Sequence, residues 1–229
     1  MSATVTVFTE RLRQAAHAIW ERQFAHPFVN ALGDGSLPPE VFEVYIRQDA
    51  RFLDQLAKSF AFAATRTDDQ EEMRTFGERL LHTLAVEKSL HHQFATRFGL
   101  TVEAMMATPM APTTYAYTRH LLHIAATGSL AALLTSILPC AWIYAEVGRH
   151  FASRAGGLPG PEHPYADWIK TYASAEFADV GAWLRERLNQ RAMAMAEADL
   201  QRLEEIFLTS SRYEYMFWDM AWRREQWPV

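Results

Sequence analysis

The stretch LLTSILPCAWIYAEVG, residues 133–148, sets the fold class of this 229-residue chain. It is almost wholly apolar and lacks a period of two, so it predicts a helix. Pro139 has no backbone N–H and clashes with the preceding turn, which predicts a bend there. Cys140, the single cysteine of the chain, shares a helical face with Ser136 and Tyr144. Cys140 is therefore either a small buried core residue or a nucleophile beside a pocket.

Glycine and proline are sparse and clustered on both sides of this stretch, which leaves long helical tracts between them. No tract alternates with period two, so we predict an all-α fold, a bundle of seven or more main helices in one domain, 1–229. Residues 26–40 are predicted to interrupt the helices. The predicted helices are 10–23, 41–65, a third ending near 97, 113–126, 129–153, 164–172, 176–195 and 198–224, with a short helical turn near 101–107.

The composition limits the classes of partner and compartment. The net charge is −5 without a Lys/Arg run, so we expect no nucleic-acid partner. A single cysteine excludes an intramolecular disulfide and cysteine-based metal sites, and it suits a reducing cytosol. The N-terminus lacks the pattern of a signal peptide. We expect no membrane-spanning segment, hence no membrane partner and a cytoplasmic location.

The segment YIRQDARFL, residues 45–53, places a carboxylate on an apolar helical face. Asp49 shares this face with Tyr45 and Phe52. An aspartate there is costly to bury without a partner. Two interpretations stay open: an ion pair with an arginine of a neighbouring helix, or a carboxylate at the floor of a pocket that accepts hydrogen bonds from a ligand.

Two later segments contribute further candidates. In TYAYTRHL, residues 114–121, Tyr117 is either a core tyrosine or a hydroxyl directed into a cavity. In SSRYEYMFWDMAW, residues 210–222, Glu214 lies on one face with Phe217. Aromatic neighbours should desolvate this carboxyl and raise its pKa, as a general acid/base near neutrality requires. A glutamate packed by aromatics at a solvated edge is the alternative.

A metal site is the weaker interpretation of the histidine-rich segment. Glu87 and His91 stand at i, i+4, close to the spacing of di-iron bundles, and Glu78 and His82 repeat it. Matching Glu/His sets on other helices are missing, so hydrogen-bonded polar residues are favoured and no cofactor or metal is expected. No Lys, Arg or His lies within one turn of Cys140, so its activation would need a base from a distant helix.

Together the residues predict a helical protein with an aromatic cavity. Its polar side chains would be Asp49, Tyr117, Cys140, Tyr144 and Glu214. Aromatic faces can stack on a flat ring, and carboxylates can accept hydrogen bonds from its amino groups. Such a cavity suits a small nitrogenous heterocycle.

The same segments, in the same order, resemble the TenA/thiaminase II family over nearly the whole chain. The matching motifs are HPFVNALGDGSLPPEVFEVYIRQD, PTTYAYTRHL, LLTSILPCAWIYAEVG, HPYADWIKTYASAEF and SSRYEYMFWDMAWR. The resemblance implies a haem-oxygenase-like helical fold without haem, usually assembled as a homotetramer. It also implies hydrolysis at the pyrimidine methylene of thiamin or of its degradation product 4-amino-5-aminomethyl-2-methylpyrimidine. The product would be hydroxymethylpyrimidine for thiamin salvage.

The resemblance also implies roles for individual residues in this cysteine-bearing branch. Cys140 matches the family nucleophile, and Glu214 matches the acid/base. Phe52 stands where a tyrosine is expected, which keeps ring stacking and removes a hydroxyl, so it bears on substrate preference. The other matches are Asp49 for the ring nitrogen and amino group, Tyr117, Tyr144 and Tyr172 for the site walls, and Phe217 for stacking.

Three alternatives to this hydrolase remain. The first is a metal-dependent (di-iron) oxidase on the same fold using Glu87 and His91, which metal analysis would reveal. The second is a regulatory protein, although the acidic balance disfavours contact with DNA. The third is a relative that binds a pyrimidine without turnover.

Overall fold

The computed structural model describes residues 7–99, 101–154 and 157–229, apart from the side chains of 86–93 and 102. These residues form helices and connecting loops without a strand, which confirms the all-α prediction. Eleven helices occur in the described ranges: α1 Phe8–Ala15, α2 His17–Phe24, α3 Pro27–Asp34, α4 Pro39–Ala64, α5 Gln70–Arg97, α6 Val102–Met106, α7 Pro112–Thr127, α8 Leu130–Arg154, α9 Ala166–Ala173, α10 Ala175–Ala192 and α11 Glu197–Arg223.

Two predictions about the N-terminal part are wrong in detail. The predicted helix 10–23 is two helices, α1 and α2, which meet at Ala16. The predicted interruption at 26–40 contains α3, which His26 caps by accepting a hydrogen bond from the Phe28 N–H at 3.1 Å. This helix ends at Gly35 with φ 82°, a conformation that glycine adopts without steric cost. Local capping therefore forms a helix in a segment rich in glycine and proline.

Capping residues also define the two helices that form one side of the site. α4 begins with Pro39 in its first turn, where the missing N–H costs nothing. The side chain of Asp69 accepts hydrogen bonds from the N–H groups of Glu71 and Glu72 at the start of α5. Glu71 and Glu72 also suit the positive end of the helix dipole. α4 and α5 are joined by a short turn and pack against each other.

α8 lies at the centre of the fold and contacts α7, α9, α10 and α11. It continues through Pro139 as one helix. At Gly148 it approaches α9 so closely that an added Cβ would lie 2.4 Å from the carbonyl carbon of Tyr172. This glycine therefore sets the distance between the helices that carry Cys140 and Tyr172.

The core beside α8 is rich in aromatic rings. Trp20, Trp168 and Trp218 are among its largest fully buried side chains. Trp218 stacks on Tyr45 with ring centroids 5.6 Å apart, and the Tyr144 ring lies 4.7 Å from Trp218. Such rings hold polar side chains of the site in fixed positions because the packed interior leaves them few alternative rotamers.

By length and composition alone, α8 is long and apolar enough to cross a membrane, although no span was expected. Among the described residues, it is the one helix that passes both tests. However, 83% of its apolar window is buried inside the fold, and the core helix of a soluble protein passes the same tests. The length and composition of α8 are therefore weak evidence for a membrane span.

Candidate active site

A cavity of about 80 Å³ lies between α4, α5, α8, α9 and α10. Its volume exceeds the space that a single water needs several times over. Five of the eight predicted site residues line it: Asp49, Phe52, Cys140, Tyr144 and Tyr172. Leucine, isoleucine, valine and phenylalanine side chains from α4, α8 and α10 form most of the remaining wall. The residues that sequence reasoning assembled from α4, α8 and α9 therefore meet around one hollow.

Cys140 faces this cavity from the middle of α8. It is only partly buried, unlike Ser136 one turn earlier, which is fully buried and donates a hydrogen bond to the carbonyl of Leu133 at 2.8 Å. Of the two alternatives for Cys140, the geometry favours a sulfur accessible from a pocket over a core residue.

Glu214 is the most strongly perturbed carboxyl near the cavity. It is 2% exposed, and its Oε1 accepts a hydrogen bond from the Tyr117 hydroxyl. Burial raises the pKa of Glu214 to about 8, the hydrogen bond from Tyr117 opposes that rise, and the charge of Asp49 adds to it. A carboxyl with this pKa is protonated at neutral pH and can act as a general acid.

Tyr117, Glu214 and Phe217 do not line the cavity themselves. Two of them contact Phe52, whose ring centroid is 4.9 Å from that of Tyr117 and 5.7 Å from that of Phe217. Tyr117 in turn stacks on Tyr213 with centroids 5.1 Å apart and planes inclined by 10°. Phe52, which lines the cavity, therefore contacts Tyr117 and Phe217 ring to ring.

Electrostatic coupling joins this layer to the cavity. Burial, followed by the charges of Glu214 and Cys140, raises the pKa of Tyr117. Burial also raises the pKa of Tyr144, with contributions from Glu214 and Asp49. The charge of Glu214 therefore acts on both tyrosines, that of Cys140 on Tyr117 and that of Asp49 on Tyr144.

A hydrogen-bonded chain fixes the orientation of Tyr144. The Trp168 Nε1–H donates to the Tyr45 hydroxyl at 3.2 Å, and the Tyr45 hydroxyl donates to the Tyr144 hydroxyl at 3.4 Å. Tyr45 is fully buried and does not line the cavity, although the sequence placed it on the face of Asp49. Its role is to orient Tyr144, whose own O–H remains able to donate toward the cavity.

Sequence reasoning missed the contribution of α5. Arg79, His82 and Thr83 line the cavity from this helix. Their i, i+3, i+4 spacing places them on one face, and this spacing is a signal that the sequence contained. His82 was considered only as a partner of Glu78, which instead forms an ion pair with Arg74 on an exposed surface.

A metal centre finds no support in the part of the chain that the structure describes. Within it, no cluster of three or more His, Cys, Asp or Glu side chains could hold a metal ion. The side chains of Glu87 and His91, which the oxidase alternative uses, lie outside the described residues.

Comparisons with known proteins show two curated relatives that match nearly the whole chain. The chain is 40% identical over 222 residues to the aminopyrimidine aminohydrolase of Halalkalibacterium halodurans, covering 96% of this chain and 97% of that protein. It is 35% identical over 228 residues to the Bacillus subtilis protein of the same name, covering 96% and 92% of the two chains.

Solved structures give the same result for the fold. A TenA homologue from P. horikoshii matches with a TM-score of 0.87 and 30% identity, over 95% of this chain and 99% of that one. A domain with a haem oxygenase-like fold from Shewanella denitrificans matches with a TM-score of 0.72 at 16% identity, which confirms the predicted fold type. The family model described as TENA/THI-4/PQQC matches residues 13–224. The chain therefore belongs to the TENA/THI-4/PQQC family.

Proposed function

We propose that this chain hydrolyses the bond between the exocyclic methylene of a 4-amino-2-methylpyrimidine and the nitrogen attached to it, with Cys140 as nucleophile and Glu214 as acid/base. The observation that carries the proposal is the meeting of Cys140 and Asp49 in one cavity, backed by a buried carboxyl with a pKa of about 8.

The general activity rests on the curated relatives. Proteins 40%, 35% and 32% identical to this chain, over more than nine-tenths of its length, are named aminopyrimidine aminohydrolase. This chain is likewise an aminopyrimidine aminohydrolase, or thiaminase II, a hydrolase of thiamin salvage. The finer proposal concerns which atoms of the protein perform the reaction and which substrate is preferred.

Binding of the pyrimidine is assigned to the end of the cavity that Asp49 lines. Asp49 is 3% exposed and lines this end, where its carboxylate can accept hydrogen bonds from the amino group and a protonated ring nitrogen. Phe52 and Tyr172 offer ring faces for stacking, as aromatic side chains of ligand pockets commonly do. The pyrimidine then lies against Cys140.

The first half of the reaction breaks the C–N bond. The Cys140 sulfur adds to the ring carbon next to the one that bears the methylene, while Glu214 assists protonation of a ring nitrogen. The electron pair returned from the ring expels the amine, which takes up the proton that the Cys140 thiol gives up, and an exocyclic double bond forms. Covalent catalysis of this kind divides one difficult displacement into easier steps.

The second half restores the ring. Water adds to the exocyclic methylene, and the C–S bond breaks as the sulfur departs. With the aminomethyl substrate the net reaction consumes one water and yields hydroxymethylpyrimidine and ammonia. Glu214 returns to its starting protonation state because the proton that it supplies in the first half is recovered in the second.

The assembly and location are also proposals. We propose a homotetramer, since Trp222 and Trp227 are 37% and 53% exposed and large exposed apolar side chains favour subunit contacts. A lone thiol and the thiamin-salvage role favour the cytoplasm.

The test of this function is ammonia release by the purified protein from 4-amino-5-aminomethyl-2-methylpyrimidine, run beside thiamin. We expect stoichiometric ammonia and hydroxymethylpyrimidine from the aminomethyl compound. Binding of the pyrimidine without any turnover of either compound, at any pH between 6 and 9, would contradict a hydrolase and leave a pyrimidine-binding protein.

A further inference from the structure

The cavity carries a positively charged side chain for which the proposed chemistry has no use. Arg79 lines the cavity from α5, one turn before His82 and Thr83. The binding and chemistry proposed above use residues of α4, α8, α9 and α11 only. The face of α5 therefore needs an explanation of its own.

Arg79 differs from the other arginines of similar burial. Arg51, Arg79, Arg185 and Arg187 each have a buried Nε without a hydrogen-bond partner. Arg51 donates to the carbonyl of Met106, Arg185 lies over the Trp142 ring, and Arg187 pairs with Glu186. Within the described part of the chain, Arg79 makes no such contact: it has no hydrogen bond, no ion pair and no aromatic ring beneath it.

The buried Nε–H of Arg79 loses its hydration without gaining a hydrogen bond in return, which is costly. Arginine presents several N–H donors in a planar fork that fits the oxygens of a carboxylate or phosphate. The cost is offset if the cavity regularly holds such an anion. An arginine in this position therefore indicates a ligand rather than a structural ion pair.

The cavity is longer than a pyrimidine ring. Its lining on α4 extends from Asp49 to Phe60, which corresponds to about 16 Å along a helix axis. α4 ends at Ala64 and α5 begins at Gln70 after a short turn, so the antiparallel pairing places Arg79 near the level of Leu56, about 10 Å along α4 from Asp49. If the ring lies at Asp49, Arg79 faces the group that leaves.

The charge of Arg79 also does not shift the pKa of Glu214, the proposed acid/base. The causes that shift the pKa of Glu214 are burial, Tyr117 and Asp49, without a contribution from Arg79. The guanidinium is therefore able to bind an anion without neutralising the acid/base.

We propose that Arg79, assisted by His82 and Thr83, forms a subsite for a carboxylate or phosphate on the leaving-group side of the substrate. The inference rests on the proposed function for the placement of the pyrimidine. It predicts substrates in which an amine bearing an anionic arm is attached to the pyrimidine methylene. Hydrolysis adds water to the methylene and releases that amine with its anionic arm intact, so no further reactant is needed.

The test uses matched pairs of substrates. Aminomethylpyrimidines are N-alkylated with carboxyalkyl chains of increasing length, and each is paired with its primary amide, which has nearly the same shape without the charge. A phosphate-terminated compound and its neutral alcohol separate phosphate from carboxylate recognition. The experiment compares wild type, Arg79→Gln and a control, Arg149→Gln. The control removes an exposed arginine of α8.

We expect at least one anionic substrate to exceed its neutral partner in kcat/KM by about tenfold or more. Arg79→Gln should abolish that preference and leave kcat/KM for the unsubstituted aminomethyl compound within about threefold. Arg149→Gln should retain the preference. Equal values for every anionic and neutral pair in wild type, or an equal loss for both members in Arg79→Gln, would overturn the subsite.

A binding measurement keeps this test separate from that of the hydrolase. Analogues in which CH₂ replaces the scissile nitrogen cannot be hydrolysed, and calorimetry gives their Kd. Preferential binding of the anionic analogue that is lost in Arg79→Gln supports the subsite even if no substrate turns over. Equal Kd values for charged and neutral analogues contradict it even if the hydrolase is active.

Discussion

At the scale of single residues, Glu214 and Tyr117 determine how activity depends on pH. Burial raises the pKa of Glu214 to about 8, so the carboxyl is protonated below that pH and can donate to the ring. As the pH rises above 8 the proton is lost, and kcat/KM should fall about tenfold per pH unit. A pH profile of kcat/KM measures this alkaline limb.

Tyr117→Phe tests the assignment of that limb. The Tyr117 hydroxyl donates a hydrogen bond to Glu214 and lowers its pKa. Its removal should raise the pKa of Glu214 further, so the alkaline limb should move to higher pH. A limb that stays in place or moves to lower pH would assign it to another group.

Phe52 is the residue expected to affect substrate preference. It lines the cavity, and its ring contacts the ring of Tyr117. Phe52→Tyr should change the ratio of kcat/KM for the aminomethyl compound and thiamin severalfold while the products remain the same. Phe52→Leu removes the ring and should weaken binding of hydroxymethylpyrimidine by about 1 kcal/mol. An unchanged ratio in Phe52→Tyr, measured with both substrates, would exclude Phe52 from selection.

At the scale of helices, the contact between α8 and α9 determines the position of Tyr172. An added Cβ at Gly148 would lie 2.4 Å from the Tyr172 carbonyl carbon and 2.5 Å from the Ala173 nitrogen, and backbone atoms cannot rotate away. Gly148→Ala should therefore force α9 outward and lower the free energy of unfolding by about 1–3 kcal/mol. It should also reduce kcat/KM by displacing Tyr172.

Gly77→Ala is the matched control on α5. An added Cβ at Gly77 meets no atom within 4 Å. Alanine is the better helix former, so this change should raise the free energy of unfolding by about 0.5–1 kcal/mol. Urea denaturation of both variants makes the comparison. A Gly148→Ala protein as stable and active as wild type would mean that the two helices tolerate a wider separation.

Local patterns predicted most elements because helix boundaries depend on nearby residues. Pro39, Asp69 and the apolar periodicity of α4, α5 and α8 were sufficient to place those helices. The segment 26–40 was not predicted as helical, since the cap that His26 provides outweighs the neighbouring glycines and prolines. Spacing shows which residues share a face, so it grouped Asp49 with Phe52 but could not exclude Tyr45 from the cavity.

The candidate site was predictable only in part, because its residues come from several helices whose packing the sequence patterns do not give. Asp49, Cys140, Tyr144 and Tyr172 line the cavity as the family resemblance implies. The spacing of Arg79, His82 and Thr83 shows that they share a face of α5, but the pattern of one helix does not show which helices that face packs against. The same limit applies to the contact of Phe52 with Tyr117, whose hydroxyl in turn donates a hydrogen bond to Glu214.

At the scale of the whole molecule, the proposed tetramer predicts a sedimentation mass of four times the 26.2 kDa chain. Trp222 on α11 is a candidate contact because it is large, apolar and 37% exposed. Trp222→Arg should lower the mass if this side chain is buried between subunits, since an arginine there would lose its hydration. A monomeric wild-type protein at micromolar concentration would contradict the tetramer.

The whole account depends on Cys140 acting as the nucleophile in the cavity that Asp49 and Glu214 serve. The most direct measurement is ammonia release from the aminomethylpyrimidine by wild type and Cys140→Ser, with the Kd of hydroxymethylpyrimidine determined for both. We predict that the variant loses turnover by about a thousandfold or more, while its Kd stays within about threefold of wild type. Turnover close to that of wild type in Cys140→Ser would contradict the covalent mechanism.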